Sequence, residues 1–118
     1  MDKELMKGSI DILLLSQIAY KDTYGFEIIK NLEAKSNSLY IMREGTLYPA
    51  LQRLEQKKYL SSYWGDSETG GRRKFYSITE LGRKILQQKM NDWDKLNELI
   101  NTCRKGGYIW IDSGCTLT

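Results

Sequence analysis

Between Tyr59 and Thr79 the hydrophobic period of this chain changes and then changes back, and that double switch restricts the fold more than any other feature. On both sides apolar residues recur every three or four positions, as in helices packed on one face. Inside, Tyr59 to Trp64 and Arg73 to Thr79 alternate (Leu60, Ser62, Trp64; Lys74, Tyr76, Ile78), separated by Gly65-Asp66-Ser67-Glu68-Thr69-Gly70-Gly71. Two short β-rich runs around a glycine-rich tip predict an antiparallel hairpin. Arg72, Arg73 and Lys74 follow the tip directly, so three cations ride on a projecting ribbon.

The flanking segments read as helices. Glu4 to about Tyr20 carries Ile10, Leu14 and Ile18 on one face and Ile12, Leu15 and Ala19 on another. A helix apolar on two faces suits either the centre of a core or a core on one side and a partner subunit on the other. A second helix runs through Tyr24, Phe26, Ile28, Ile29 and Leu32, with Asp22 or Thr23 available as its N-cap. Leu47, Leu51 and Leu54 define a third, extending to about Lys58, in which Pro49 is tolerated in the first turn or as a kink. Thr79 can cap a long last helix from Glu80 to about Arg104, roughly 37 Å. A helix that long in a chain of 118 residues is expected to pack against another chain.

Charge and composition narrow the chemistry. The net charge is only +3, but residues 43–89 hold ten Lys and Arg against five Asp and Glu, whereas the flanks are each slightly acidic. Such a basic centre fits either a solvated face or an electrostatic footprint for phosphate. There is no histidine. That removes Ser-His and Cys-His nucleophile pairs, imidazole bases and His-containing metal sites. Two cysteines, Cys103 and Cys115, are too few for a four-cysteine site and too far apart for a redox CxxC, and a disulfide between them is a weaker alternative. No GxxxxGK or GxGxxG phosphate loop occurs. A non-enzymatic protein without cofactor or metal is expected. With no apolar run longer than four residues, and no signal-peptide character in the Met-Asp-Lys-Glu start, a soluble, cytoplasmic protein without membrane contact is expected.

Three helices, a basic hairpin and a long helix form the order of a mainly α winged helix-turn-helix with a C-terminal dimerisation helix. The expected organisation is a DNA-binding domain over 1–79, a dimerisation helix over 80–105 and a tail of unknown role over 106–118. In such folds the third helix enters the major groove and the hairpin reaches along the backbone or into the minor groove. The segments YGFEI at 24–28, GTLYPALQRLE at 45–55 and SSYWGDSETGGRRKFYSITELG at 61–82 together resemble the PadR family of bacterial transcriptional regulators, over about residues 5 to 104. The wing strand SSYWGD, the single last helix and a tryptophan eleven residues after Gly82 resemble its small LmrR-like, multidrug-responsive branch.

The resemblance implies a homodimeric repressor of a pseudo-palindromic operator in double-stranded DNA. It implies DNA contacts from Tyr24 and Lys30 on the second helix, Thr46, Tyr48 and Arg53 on the third, and Arg72, Arg73 and Lys74 on the wing. Core packing beside Leu47 and Leu51 is an alternative for Tyr48, and an ion pair with Glu55 or Asp66 for Arg53. It further implies a flat pore at the dimer interface where planar aromatic drugs or phenolic compounds stack on Trp93, among Ile12, Leu15, Ser16, Leu86, Lys89, Met90, Asp94 and Asn97. An indole face attracts flat π systems and cations by about 0.5 to 2 kcal/mol. Ordinary dimer packing is the alternative for Trp93. Lys89, Asp92 and Asp94 put charges where the resemblance calls for small or apolar residues, which leaves the ligand's charge open.

Two other functional classes fit the same residues. One is a winged-helix module that binds protein, for which a neutral or acidic third helix and wing would be the mark. The other is a sequestering protein that binds small molecules without regulating an operator. The tail Gly106 to Thr118, with Tyr108, Ile109, Trp110 and Ile111, has no counterpart in the family pattern.

Overall fold

The computed structural model describes residues 1–112, with side chains for residues 1–106. The elements are α1 (Lys3–Lys7), α2 (Ile10–Tyr20), β1 (Thr23–Tyr24), α3 (Gly25–Lys35), α4 (Glu44–Gln56), β2 (Leu60–Asp66), β3 (Arg72–Ile78) and α5 (Glu80–Asp112). The first helix expected from the sequence is two. Asp2 caps α1 by accepting the Glu4 N–H at 3.0 Å, and the chain then turns at Gly8 and Ser9, whose carbonyl accepts the Leu13 N–H to begin α2. A glycine inside a helix costs up to about 1 kcal/mol relative to alanine, which makes this the place to break.

Neither Asp22 nor Thr23 caps α3. The Asp22 carboxylate accepts the Tyr63 hydroxyl at 2.7 Å, the Thr23 hydroxyl donates to Glu27, and Tyr24 stands at the cap position without a side-chain bond. Thr23 and Tyr24 instead pair with Tyr76 and Phe75 as a third, antiparallel strand, so the sheet runs β1-β3-β2. Two residues are too few to leave an alternating pattern in the sequence. The hairpin itself pairs Leu60 with Ile78 through to Asp66 with Arg72. Its tip closes on Ser67, whose N–H bonds the Gly71 carbonyl at 3.0 Å. Gly70 and Gly71 turn with φ of 97° and 86°, a region side-chain-bearing residues avoid.

Pro49 lies in the second turn of α4, where the Gly45 carbonyl loses the donor it would normally receive. Both residues are exposed, so the carbonyl is open to solvent and the lost bond leaves no buried polar group unsatisfied. The buried side of α4 (Leu47, Ala50, Leu51, Leu54) meets Leu14, Leu15 and Ile18 of α2, Ile28 and Leu32 of α3, and Met42, Leu60 and Tyr76. Thr79 caps α5 as expected. Its hydroxyl accepts the Gly82 N–H at 2.9 Å and donates to the Lys58 carbonyl at 2.7 Å, fastening the helix start to the start of β2. A Cβ at Gly82 would lie 2.1 Å from the Tyr59 carbonyl oxygen, so only glycine fits there.

The last helix passes through Gly106 and runs to Asp112, about 50 Å, not ending near Arg104 as its apolar spacing predicts. The 106–118 segment is thus helical at its start, while residues 113–118, including Cys115, and the side chains of Tyr108 to Ile111 lie outside the described residues. Two compact units divide within α5: Met1–Leu86, which holds the winged helix, and a unit starting at Gln87. Among the described residues no helix is long and apolar enough to cross a membrane, and no group of three or more Cys, Asp and Glu could hold a metal ion.

Candidate nucleic-acid interface

The exposed side of α4 faces the wing across a cleft of about 670 Å³. Tyr48, Gln52, Glu55 and Gln56 form its α4 wall, a stripe set by the helical period. Tyr24, Gly25 and Phe26, where β1 becomes α3, form a second side, and Trp64, Arg72, Arg73, Lys74 and Tyr76 of the hairpin form the third. Two of the wing cations have aromatic or acidic neighbours that set their positions. The Arg73 guanidinium lies 5.7 Å from the Tyr24 ring centroid and 5.9 Å from that of Phe26. Lys74 stands 5.6 Å from the Tyr76 ring and 3.6 Å from the Glu55 carboxylate, which also accepts the Ser62 hydroxyl. The wing is braced from behind: Phe75 stacks on Tyr63 at 5.6 Å and meets Tyr24 edge-on at 5.2 Å.

With one carboxylate against three cations, the cleft is net positive and open to an anionic chain. Burial pushes the Tyr76 hydroxyl above its ordinary value of 10.0, against the opposite pull of Lys74, so its phenol is neutral and a hydrogen-bond donor at physiological pH. Arg and Lys at this spacing neutralise phosphates, and the uncharged amides of Gln52 and Gln56 can read base edges, glutamine pairing bidentately with adenine.

Of the eight residues expected at DNA, five line this cleft: Tyr24, Tyr48, Arg72, Arg73 and Lys74. Tyr48 is 45% exposed, so core packing does not account for it. Its ring passes over Gly25, where a Cβ would come within 2.5 Å of the Tyr48 oxygen. Lys30 lies on α3 with its ammonium 5.4 Å from the Phe26 ring. Thr46 lines a different cleft, beside α1. Arg53 makes neither of the ion pairs foreseen for it; it is held by Asp11 of α2, with Nη2 at 2.6 Å. Gln52, Gln56, Phe26 and Trp64 also line the cleft, though neither spacing nor resemblance assigns them to DNA. For Gln52 the available signal was its position one turn after Tyr48.

The residues expected at an aromatic ligand fall differently. Leu15 is fully buried in the core and lines no open surface, because α2 is enclosed on that side too. Ile12 is half-buried, Ser16 exposed, and Leu86 packs against the core. On α5, Lys89 and Met90 are half-buried, Asp94 and Asn97 exposed, and Trp93 43% exposed.

A three-helix core, a third helix with an open polar stripe and a basic β-hairpin beside it define a winged-helix DNA-binding protein. Residues 14–88 match the transcriptional regulator PadR-like family, and the chain belongs to that family of non-enzymatic, DNA-binding regulators. It is 38% identical to a transcriptional regulator from Clostridium thermocellum, covering 85% of this chain and 97% of that one with a TM-score of 0.77. A PadR-like transcriptional regulator from Bacillus cereus is 26% identical, with 86% and 96% covered and a TM-score of 0.76. A protein of Lysinibacillus sphaericus is 36% identical over 103 residues, 87% of this chain and 94% of its own length.

Proposed function

We propose that the chain is a homodimeric repressor that holds a pseudo-palindromic operator and is released or modulated by planar aromatic molecules. The cleft between α4 and the wing carries the DNA half of this reading, since Arg72, Arg73 and Lys74 converge there on the exposed face of the third helix. Two such units related by a two-fold axis would offer two third helices to half-sites about one helical turn apart. Dimerisation is supported by α5, where Leu96, Leu99 and Ile100 are about half exposed at helical spacing, a stripe that a second copy of the helix would cover. The proposed stacking residue is Trp93, with Lys89, Met90 and Asn97 its neighbours on the same side of the helix and Asp94 about 100° round from it.

Selection of duplexes from a random-sequence library by the purified protein tests the DNA reading. An enriched inverted repeat with half-sites spaced by about one turn is the expected result. Recovery of sequences no different from the starting pool, or binding lost entirely at moderate salt, would refute operator recognition and leave a sequestering protein.

A further inference from the structure

A second cleft, about 510 Å³, flanks α4 on the side away from the wing. Its cations are Lys3 and Lys7 of α1 and Arg43 just before α4, set against Glu4 alone, and Thr46 lines the same cleft. Among the described residues none of these three cations is in an ion pair. Each residue of a helix turns about 100°, so Thr46 and Tyr48 stand roughly 160° apart around α4. Gln52, Arg53 and Gln56, all exposed, lie in the arc between them. The two clefts therefore border the two edges of the face that would enter DNA.

We propose that Lys3, Lys7 and Arg43 form a second phosphate-binding site, gripping the DNA backbone on the rim of the major groove opposite the wing. The inference rests on the reading that α4 enters that groove. A helix with its side chains is about 10–12 Å across and the groove about 12 Å wide, so an inserted helix meets a phosphate backbone along both edges. The wing serves one edge. On the other, the nearest α4 cation, Arg53, is already bound by Asp11. The charge that faces the second backbone comes from α1 and the residue before α4, brought together only by the fold.

The test measures binding of the selected inverted-repeat duplex by fluorescence anisotropy across a salt series, for the full chain and for Lys3→Gln/Lys7→Gln/Arg43→Gln. The slope of log affinity against log salt should become shallower by about 0.9 for every phosphate no longer neutralised, with affinity at moderate salt falling by at least about tenfold. Lys7→Arg/Arg43→Lys should keep both. A wild-type slope and affinity in the triple variant overturns the proposal, as does a weakened affinity with the slope unchanged, which would assign the cleft to a protein contact. If the triple variant unfolds earlier in thermal denaturation, the three single Gln variants decide by the same slopes. Failure of the wild-type chain to prefer any duplex sinks the DNA reading itself, whereas normal wild-type binding with an unaltered triple variant sinks only the second site.

Discussion

Arg53 of α4 grips Asp11 of α2 with both arms of its guanidinium, Nη1 at 3.0 Å from one carboxylate oxygen and Nη2 at 2.6 Å from the other. The pair spans 42 residues of sequence and ties the third helix to the helix behind it. The Asp11 hydrogen bonds hold the Arg53 guanidinium above its ordinary value, so it stays charged throughout the usable pH range. Because Arg53 is partly exposed, the pair contributes at most about 1 kcal/mol to stability. Asp11→Asn is expected to lower the free energy of urea unfolding by that modest amount and, by freeing Arg53 beside DNA, to raise duplex affinity and steepen its salt dependence. A variant with weaker binding would show that Arg53 serves DNA only when Asp11 positions it.

The wing cations should govern affinity without setting sequence preference. Arg72→Ala/Arg73→Ala is expected to weaken binding to selected and random duplexes alike and to flatten the salt slope by about 0.9 for each phosphate left unneutralised. Gln52→Ala, in contrast, should leave the slope intact and relax preference at one base pair, costing about 1–3 kcal/mol of discrimination. Anisotropy titrations with single-base variants of the duplex separate the two effects.

Two glycines should respond oppositely to alanine. At Gly82 the added methyl meets the Tyr59 backbone carbonyl, which is fixed by its bonds to Thr79, and the cost should reach about 3 kcal/mol in chemical denaturation. At Gly25 it meets only the far end of the Tyr48 side chain, which can swing outward. Gly25→Ala should therefore change stability little and DNA affinity markedly.

Alkaline pH should loosen the winged helix. Tyr40 and Tyr76 titrate above their ordinary value of 10.0 mainly because burial disfavours the phenolate, and Tyr63 because its hydroxyl donates to Asp22. With folded values above unfolded ones, their contribution is intact below about pH 10 and declines as pH rises through the raised values. Urea midpoints measured from pH 8 upward should fall from about pH 10, and Tyr76→Phe should shrink the decline.

For the α5 proposals, Leu96→Glu/Ile100→Glu should convert a dimer to a monomer in sedimentation and abolish the inverted-repeat preference. Planar aromatic dyes should quench Trp93 fluorescence in a Trp64→Phe/Trp110→Phe background, where Trp93 is the one tryptophan left, and reduce operator affinity. Quenching at saturation with operator affinity unchanged would break the proposed coupling between ligand and DNA.

The helices and hairpin were legible because each leaves a period in the chain: Leu47, Leu51 and Leu54 for α4, Leu60, Ser62 and Trp64 against Lys74, Tyr76 and Ile78 for the wing. Thr79 as a cap was legible for the same local reason, its hydroxyl reaching Gly82 three residues on. Features that depend on residues distant in sequence were not. β1 is two residues whose partners lie about fifty positions away, Arg53 finds Asp11 and not its near neighbours, and Leu15 is buried where α2 meets the core on more than one side.

Family, order of elements and the concentration of positive charge in residues 43–89 could be read along the chain, since periodicity, caps and composition are local or additive properties. Which cations share a surface, inside that stretch or outside it, was settled by packing. It brought Arg72, Arg73 and Lys74 to one edge of α4, tied Arg53 to Asp11, and set Lys3 and Lys7 beside Arg43 on the other. Coulombic attraction for a phosphate falls with distance in space, and the spacing of residues along the chain does not fix that distance until the core has packed.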